Sequence, residues 1–598
     1  MTTAALPAAP VYDNSSTTSC TSVRQQQHYQ LHQCTTTAAL PAAPVYDNSS
    51  TTSCTSVRQQ QHYQLHQCMT TAALPAAPVY DNSSTTSCTS VRQQQHYQLH
   101  QWTGEQNHQR KKMPDFDGKW LREASKAEKM FEECNRSGIL LVAYHVNLSI
   151  TVPLQEDQVK LALTHLYRKV PCLRVCFGEH GGTLWFREAT NKNVDFKVLP
   201  ETEVHRVMAC LKSYQYNSDT GPLWCARLVA DTSSGQCEQT TSMEDNISSG
   251  HSGQASPHIP DNNLTSFPHS YHLFLGFHHG IVDGFSAMKI CGFTATLLND
   301  VITGKPINDD QLGEFVSCEE TMELVLAKKA LIEADPLLMK KWTDEANLRK
   351  DKELFFSRIY QIPEGTEVKS LTLERQLDKT TTSRFLKKCR AERVTIHSAF
   401  TALADAALVE LLAEKGVVQD IYNIYNYHSV SMRRYWKGDV SKSLGCHVSI
   451  MKMYTDTPRN INEIFWDFAR SVHQELQSKL KSGMALEEEA FDLLKSDSID
   501  NFESVSNIPT GFVLPDYNTT NMGDVTALVT EGTDHIRVTR VMRSISNTAF
   551  ACTHVFHTFR GRFLYLLDYS TRHLSTEIAE SFCNKIFDNL LNVIQDCI

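Results

Sequence analysis

Tyr271-His272-Leu273-Phe274-Leu275-Gly276-Phe277 runs directly into His278-His279-Gly280-Ile281-Val282-Asp283-Gly284. The first seven residues are mostly aliphatic and aromatic, the composition of a buried strand. The second seven break that pattern with two glycines and a carboxylate, and an apolar stretch from about Phe285 to Leu298 then reads as a helix. The pattern is strand, tight connection, helix, with a histidine pair at the strand end, where a side chain can project into a cleft.

The residue types in that connection suit an active site. An imidazole can take and return a proton near neutral pH. A lone His-x-x-x-Asp is weak, because a chain with 25 histidines holds about one by chance. The full His-His-x-x-x-Asp-Gly is far more specific, with a chance expectation of roughly 0.004. The competing reading makes His278 and His279 turn residues and Asp283 the N-cap of the helix that follows, a position that aspartate favours.

Bulk properties narrow the function. The chain has 598 residues, 41% apolar and 21% charged, the profile of a globular protein with a large core. It has no run of 18 apolar residues and no basic-then-apolar leader, so a cytoplasmic protein without a transmembrane segment is expected. The net charge is −10 with no basic cluster, which argues against nucleic acid as a partner. Its 18 cysteines are scattered without a CxxC pair, as in a reduced thiol inventory, and no metal site is expected.

The N-terminal stretch stands apart. The unit TTAALPAAPVYDNSSTTSCTSVRQQQHYQLHQ occurs three times without change, starting at Thr2, Thr36 and Thr70. It offers little apolar surface, so residues 1–112 are expected to be disordered rather than a helical-repeat array. The identical copies suggest a recent duplication or a gene-model artefact, with Met69 or Met113 expected as the true start. From about Trp120 the texture becomes that of an α/β protein. Strands are expected over Gly138–Val152, Cys172–Phe177, Leu223–Val229, Val368–Leu373, Ile421–Ser431, His447–Tyr454, Arg537–Met542, Ala549–Phe556 and Arg562–Tyr569. Helices are expected over Glu156–Lys169, Thr380–Cys389, Ile396–Leu412, Ile461–Lys481 and Thr576–Ile594. The polar stretch from Asp231 to Ser270 reads as a long surface loop.

The heptad resembles the HHxxxDG signature of the CoA-dependent acyltransferase superfamily, which includes chloramphenicol acetyltransferase, peptide-synthetase condensation domains and the alcohol acetyltransferases. Gly221-Pro222-Leu223-Trp224, Ala226-Arg227-Leu228-Val229, Ser431-Met432-Arg433 and Leu444-Gly445-Cys446 are similar to further family segments, so the resemblance spans about Trp120 to Ile598. It implies two chloramphenicol-acetyltransferase-like lobes forming a pseudo-dimer with a tunnel between them. The expected division is a lobe over 113–360, with the motif and crossover helices, and a second over 361–598. The implied chemistry makes His279 the general base. Asp283 would pair with Arg433, or with Arg434, to shape the turn. Gly284 would serve tight turn geometry, and His278 would support the turn. Ser506 or Asn507 would polarise an oxyanion, with solvent-facing loop positions as the alternative. The implied cosubstrate is acyl-CoA or an acyl-pantetheinyl carrier, with no bound cofactor.

Three functions follow. The first is a monomeric acyltransferase moving an acyl group from acyl-CoA to a small hydroxyl or amine acceptor. The second is a condensation-type enzyme served by an acyl carrier protein. The third is a non-catalytic binding protein of the same fold. The DFGWG signature of the plant BAHD branch is missing, and the alcohol acetyltransferase-like branch fits best.

Overall fold

A computed structural model describes residues 119–200, 204–231, 266–350, 352–496, 514–529 and 533–595. The first half runs β1 (Trp120–Glu123), α1 (Lys126–Arg136), β2 (Val142–Ile150), α2 (Glu156–Lys169), β3 (Val175–His180), β4 (Thr183–Glu188) and β5 (Asp195–Leu199). It continues through α3 (Val204–Lys212), β6 (Trp224–Asp231), β7 (His269–Phe277), α4 (Gly284–Ile302), β8 (Glu314–Phe315), α5 (Glu319–Ala334) and α6 (Pro336–Lys350). The second half runs β9 (Ser370–Leu377), α7 (Lys379–Ala391), α8 (Ile396–Glu414), β10 (Ile421–Ser431), β11 (Ser443–Leu444) and β12 (Val448–Pro458). It ends with α9 (Phe465–Ser482), α10 (Met484–Ser496), β13 (Tyr517–Asp524), α11 (Thr526–Val529), β14 (Ile536–Ile545), β15 (Cys552–Phe559), β16 (Arg562–Ser570) and α12 (Thr576–Val593).

Two large mixed sheets organise these elements. One has the order β14-β2-β7-β6-β5 and the other β12-β10-β13-β15-β16-β9. β7 is the central strand of the first. Neighbours on both sides and packing on both faces explain why Leu273, Phe274, Leu275 and Phe277 are all buried in an almost unbroken apolar run. Gly276 belongs there for a spatial reason: a Cβ would stand 2.7 Å from the Tyr216 hydroxyl. Each sheet has its own hydrophobic core. In the second, α8 packs against α9 and α12. This helix is long and apolar enough to cross a membrane by composition, yet 78% of its most apolar window is buried inside the fold.

The expected boundary at 360/361 does not divide the sheets. β14 comes from the C-terminal half but pairs antiparallel along the whole of β2, from Ile536↔Ile150 to Ile545↔Val142. Val525, Val529, Val538 and Val541 lie in the core of the first sheet. Extending the first sheet satisfies the free edge of β2 and buries the apolar face of β14. A buried tie crosses in the other direction: Lys212 of α3 donates to Thr372 Oγ1 at 2.6 Å and pairs with Asp568 of β16 at 3.4 Å.

Elements read too simply from the sequence fail for local reasons. The strand expected from Cys172 starts only at Val175, because Cys172 lies within a 3-10 turn over Pro171–Arg174 that precedes β3. β13, Tyr-Asn-Thr-Thr-Asn-Met-Gly-Asp, carries no apolar alternation. It is a strand because it lies parallel to both β10 and β15, which satisfy its backbone groups. The expected loop over 231–270 and the repeat segment lie almost entirely outside the described residues.

Candidate active site

The heptad occupies the junction where β7 ends and α4 begins. A short 3-10 turn, His279–Ile281, joins them, and Asp283 caps α4 by accepting a 2.9 Å hydrogen bond from the Ser286 amide. The capping role and an ion pair therefore coexist in one carboxylate. Its second oxygen, Oδ2, accepts from Arg433 Nη1 and, at 3.0 Å, from the His447 amide. Arg434, the alternative partner, has no such contact with it. Arg433 is held on every side: Nε donates to Ser443 Oγ at 2.7 Å, Nη2 to Ser286 Oγ at 3.0 Å, and the guanidinium lies 4.9 Å from the Phe285 ring centroid. Burial would raise the Asp283 pKa, but the Arg433 charge and these hydrogen bonds hold it below the usual carboxylate range.

The Gly445 carbonyl completes this knot by accepting from the Asp283 amide at 3.2 Å and from Ser286 Oγ at 2.9 Å. Gly445 has φ +131°, and a Cβ there would meet His447 Nε2 at 2.8 Å, so only glycine fits without rearrangement. Gly284 works differently from the expected tight-turn role. It is the first residue of α4 and is not among the glycines with positive φ; a Cβ would press on Met522 Sδ at 3.1 Å. Its small size admits β13 rather than bending the turn.

The two histidines have separate environments. His278 is fully buried. Its Nδ1 accepts from the Gly280 amide at 2.9 Å, which leaves Nε2–H to donate to Glu132 Oε2 at 3.0 Å. Glu132 also accepts from Ser218 Oγ and from Arg136 Nε at 2.8 Å. These bonds, led by His278, lower the Glu132 pKa against the upward effect of its burial. His278 is thus a tied structural residue.

His279 makes no ion pair among the described residues. Its ring stacks on Phe131 of α1, with centroids 4.2 Å apart and planes 10° from parallel, and Cys446 Sγ lies 3.7 Å from Nδ1. Burial first, and then the positive charge of Arg543, push its pKa down to about 4. At neutral pH this imidazole is uncharged and has a lone pair for a proton. Burial likewise drives the adjacent Cys446 thiol well above its ordinary range, so it is a poor nucleophile.

Sequence reasoning missed Phe131, Glu132, Ser286, Cys446 and Arg543. Only Ser286, three residues beyond the N-cap, left a local trace, and the rest arrive from distant segments. Ser506 and Asn507 lie outside the described residues. Among the described residues, no group of three His, Cys, Asp or Glu side chains is placed to hold a metal.

Comparison with known proteins identifies the family. The whole sequence matches no curated protein. In solved structures the fold is similar to the epimerization domain from the third module of tyrocidine synthetase B, at 13% identity and a TM-score of 0.53 over 80% of this chain and 98% of that one. It is also similar to the TRI3 trichothecene 15-O-acetyltransferase of Fusarium sporotrichioides, at 11% identity and a TM-score of 0.53, covering 80% and 95%. The first condensation domain of the calcium-dependent antibiotic synthetase aligns at 12% identity and a TM-score of 0.52, covering 80% and 97%. The condensation-domain family model matches residues 264–598, a span that starts just ahead of β7 and holds both the heptad and Arg433. The chain therefore belongs to the condensation-domain family.

Proposed function

We propose that this protein transfers an acyl group from an acyl-CoA thioester to the hydroxyl or amine of a small acceptor, with His279 as the general base. The observation that carries the reading is the contrast between the two histidines. His278 spends both ring nitrogens on scaffold, whereas His279 is neutral, buried and unpaired with any carboxylate among the described residues.

In the proposed cycle, His279 takes the proton of the acceptor O–H or N–H as the heteroatom attacks the thioester carbonyl. Collapse of the tetrahedral intermediate breaks the C–S bond, and the imidazolium returns the proton to the thiolate, so free thiol and acylated acceptor leave. No covalent enzyme intermediate is needed, because holding both substrates at one base supplies proximity. The Asp283–Arg433 pair would act only by fixing the turn. The structural likeness to an O-acetyltransferase supports a free-standing reaction, and the likeness to synthetase domains keeps a carrier-bound thioester as the alternative donor. We place the reaction in the cytoplasm and treat the enzyme as a monomer.

The test is free-thiol release by the purified protein, using a series of acyl-CoAs with a mixed panel of alcohols and amines, in parallel with acyl-pantetheinyl carrier proteins. Acceptor-dependent thiol release from CoA donors, lost in His279→Ala, is the expected result. Release only from carriers would move the assignment to the condensation-type reaction, and release from neither would overturn acyl transfer.

A further inference from the structure

Five arginines are buried among the described residues, and four have conventional partners. Arg433 pairs with Asp283, Arg349 with Glu488 and Glu345, and Arg227 with Asp195, while Arg187 donates to the Phe177 and Asp219 carbonyls. Arg543 is the exception. It is 4% exposed, its Nε and Nη1 have no acceptor, and no carboxylate among the described residues pairs with it. An unpaired buried guanidinium costs several kcal/mol.

Its position shows which groups meet the guanidinium. Arg543 lies on β14 opposite Tyr144 of β2, and Tyr144 is opposite Leu275 of β7. The Tyr144 ring meets Phe277 edge-on at 5.8 Å, two residues before His279. The Tyr144 hydroxyl is buried beside the guanidinium and interacts with it, and has no other partner among the described residues. The guanidinium and the phenol O–H thus meet at the end of the strand that presents His279. Asp283 cannot serve them, because both of its oxygens are engaged by Ser286, Arg433 and His447.

We propose that one of the two substrates carries a carboxylate, and that Arg543, with the Tyr144 hydroxyl, binds it beside His279. The inference rests on the acyl-transfer reading above and specifies its substrate class. A planar guanidinium matches a carboxylate with two parallel hydrogen bonds. A transition-state oxyanion would leave the charge unpaired in every resting complex. The phosphates of CoA are a full pantetheine arm away from the reacting thioester. Binding of the anion also offsets the Arg543 charge that adds to the effect of burial on His279, so a correctly charged substrate removes the smaller of the two influences that lower its basicity.

The experiment compares hydroxy acids with neutral analogues of equal length, such as 4-hydroxybutyrate with butane-1,4-diol, and ω-carboxyacyl-CoAs with unsubstituted ones, such as succinyl-CoA with butyryl-CoA. Wild-type kcat/KM is expected to favour the charged member of one series at least about tenfold. A preference in the first series assigns the carboxylate to the acceptor, and in the second to the donor. In Arg543→Gln the ratio should fall to near one, with Arg543→Lys intermediate, since it keeps the charge but loses the fork. Thermal melts of ligand-free Arg543→Gln should show a midpoint equal to or above wild type, because an unpaired charge has been removed. Titration calorimetry with the same acids provides a readout independent of turnover. Acid binding lost in Arg543→Gln without thiol release in any assay would sustain the anion site and sink acyl transfer. Turnover without preference in either series, or an equal kcat loss for charged and neutral substrates, would overturn the carboxylate site.

Discussion

Asp283 and Arg433 are 150 residues apart in the chain and form one buried ion pair that fastens the motif turn to the segment after β10. The carboxylate caps α4 with one oxygen and receives the guanidinium with the other, so each partner is committed in two directions. Removing either leaves an uncompensated buried charge. Asp283→Ala and Arg433→Ala should each lower stability by about 3–5 kcal/mol. The double variant should lose much less than the sum, because it strands no charge. Urea unfolding of the two single variants and the double variant measures this, and strictly additive losses would show that the pair is not coupled. Activity should fall in both single variants, since the turn that carries His279 loosens.

His279→Ala should reduce acyl transfer by about 10²–10⁴-fold. The ring stacks on Phe131 but makes no ion pair, so the variant should stay folded and retain CoA affinity by calorimetry. Turnover equal to wild type would remove His279 from the chemistry.

The base should work unusually far into acid. With a pKa pushed down to about 4, mainly by burial, His279 stays unprotonated as pH falls through the range where a free imidazole titrates. The acid limb of kcat/KM, which reports the free enzyme, is expected near pH 4. A limb near the ordinary histidine value would mean that solvent reaches the ring freely.

Stability should be more sensitive to acid than activity. His397, His447 and His557 are pushed down to about 4 and His554 to about 3, in each case chiefly by burial, and His428 lies well below its ordinary range. Between about pH 6.5 and 4 the unfolded chain binds protons at these positions and the native state does not. Stability is therefore intact above that window and falls progressively as pH drops through it. Melting temperatures across the window should decline steeply; a flat profile would show that these rings can be charged in the native state.

Gly292, on the face of α4 that meets α11, should tolerate no side chain. An added Cβ would stand 2.4 Å from the Leu528 carbonyl oxygen and 3.1 Å from Val529 Cα, both backbone atoms that cannot swing aside. Gly292→Ala should cost about 1–3 kcal/mol. An unchanged chemical-denaturation midpoint would indicate that α11 yields at little cost.

Local sequence determined the strand-turn-helix at the motif and the α/β texture, while the candidate base came from the resemblance of the heptad to a family signature. The first two depend on signals that act over a few residues: the apolar run of β7, the N-cap at Asp283 and the apolar face of α4. Arg537 to Met542 was legible as a strand for the same reason. That it would leave its own half and lie along β2 was not, because pairing between residues nearly 400 positions apart leaves no mark on either segment alone. The same limit hid Cys446 beside His279, 167 residues away, and the Glu132 that fixes His278, 146 residues away. Arg543 marks the difference most clearly. In the sequence it is one basic residue in a strand. Only tertiary structure buries it, leaves it without a carboxylate partner among the described residues and couples its charge to His279. Local sequence placed an imidazole at the strand end, and long-range packing decided the burial and electrostatic field in which it sits.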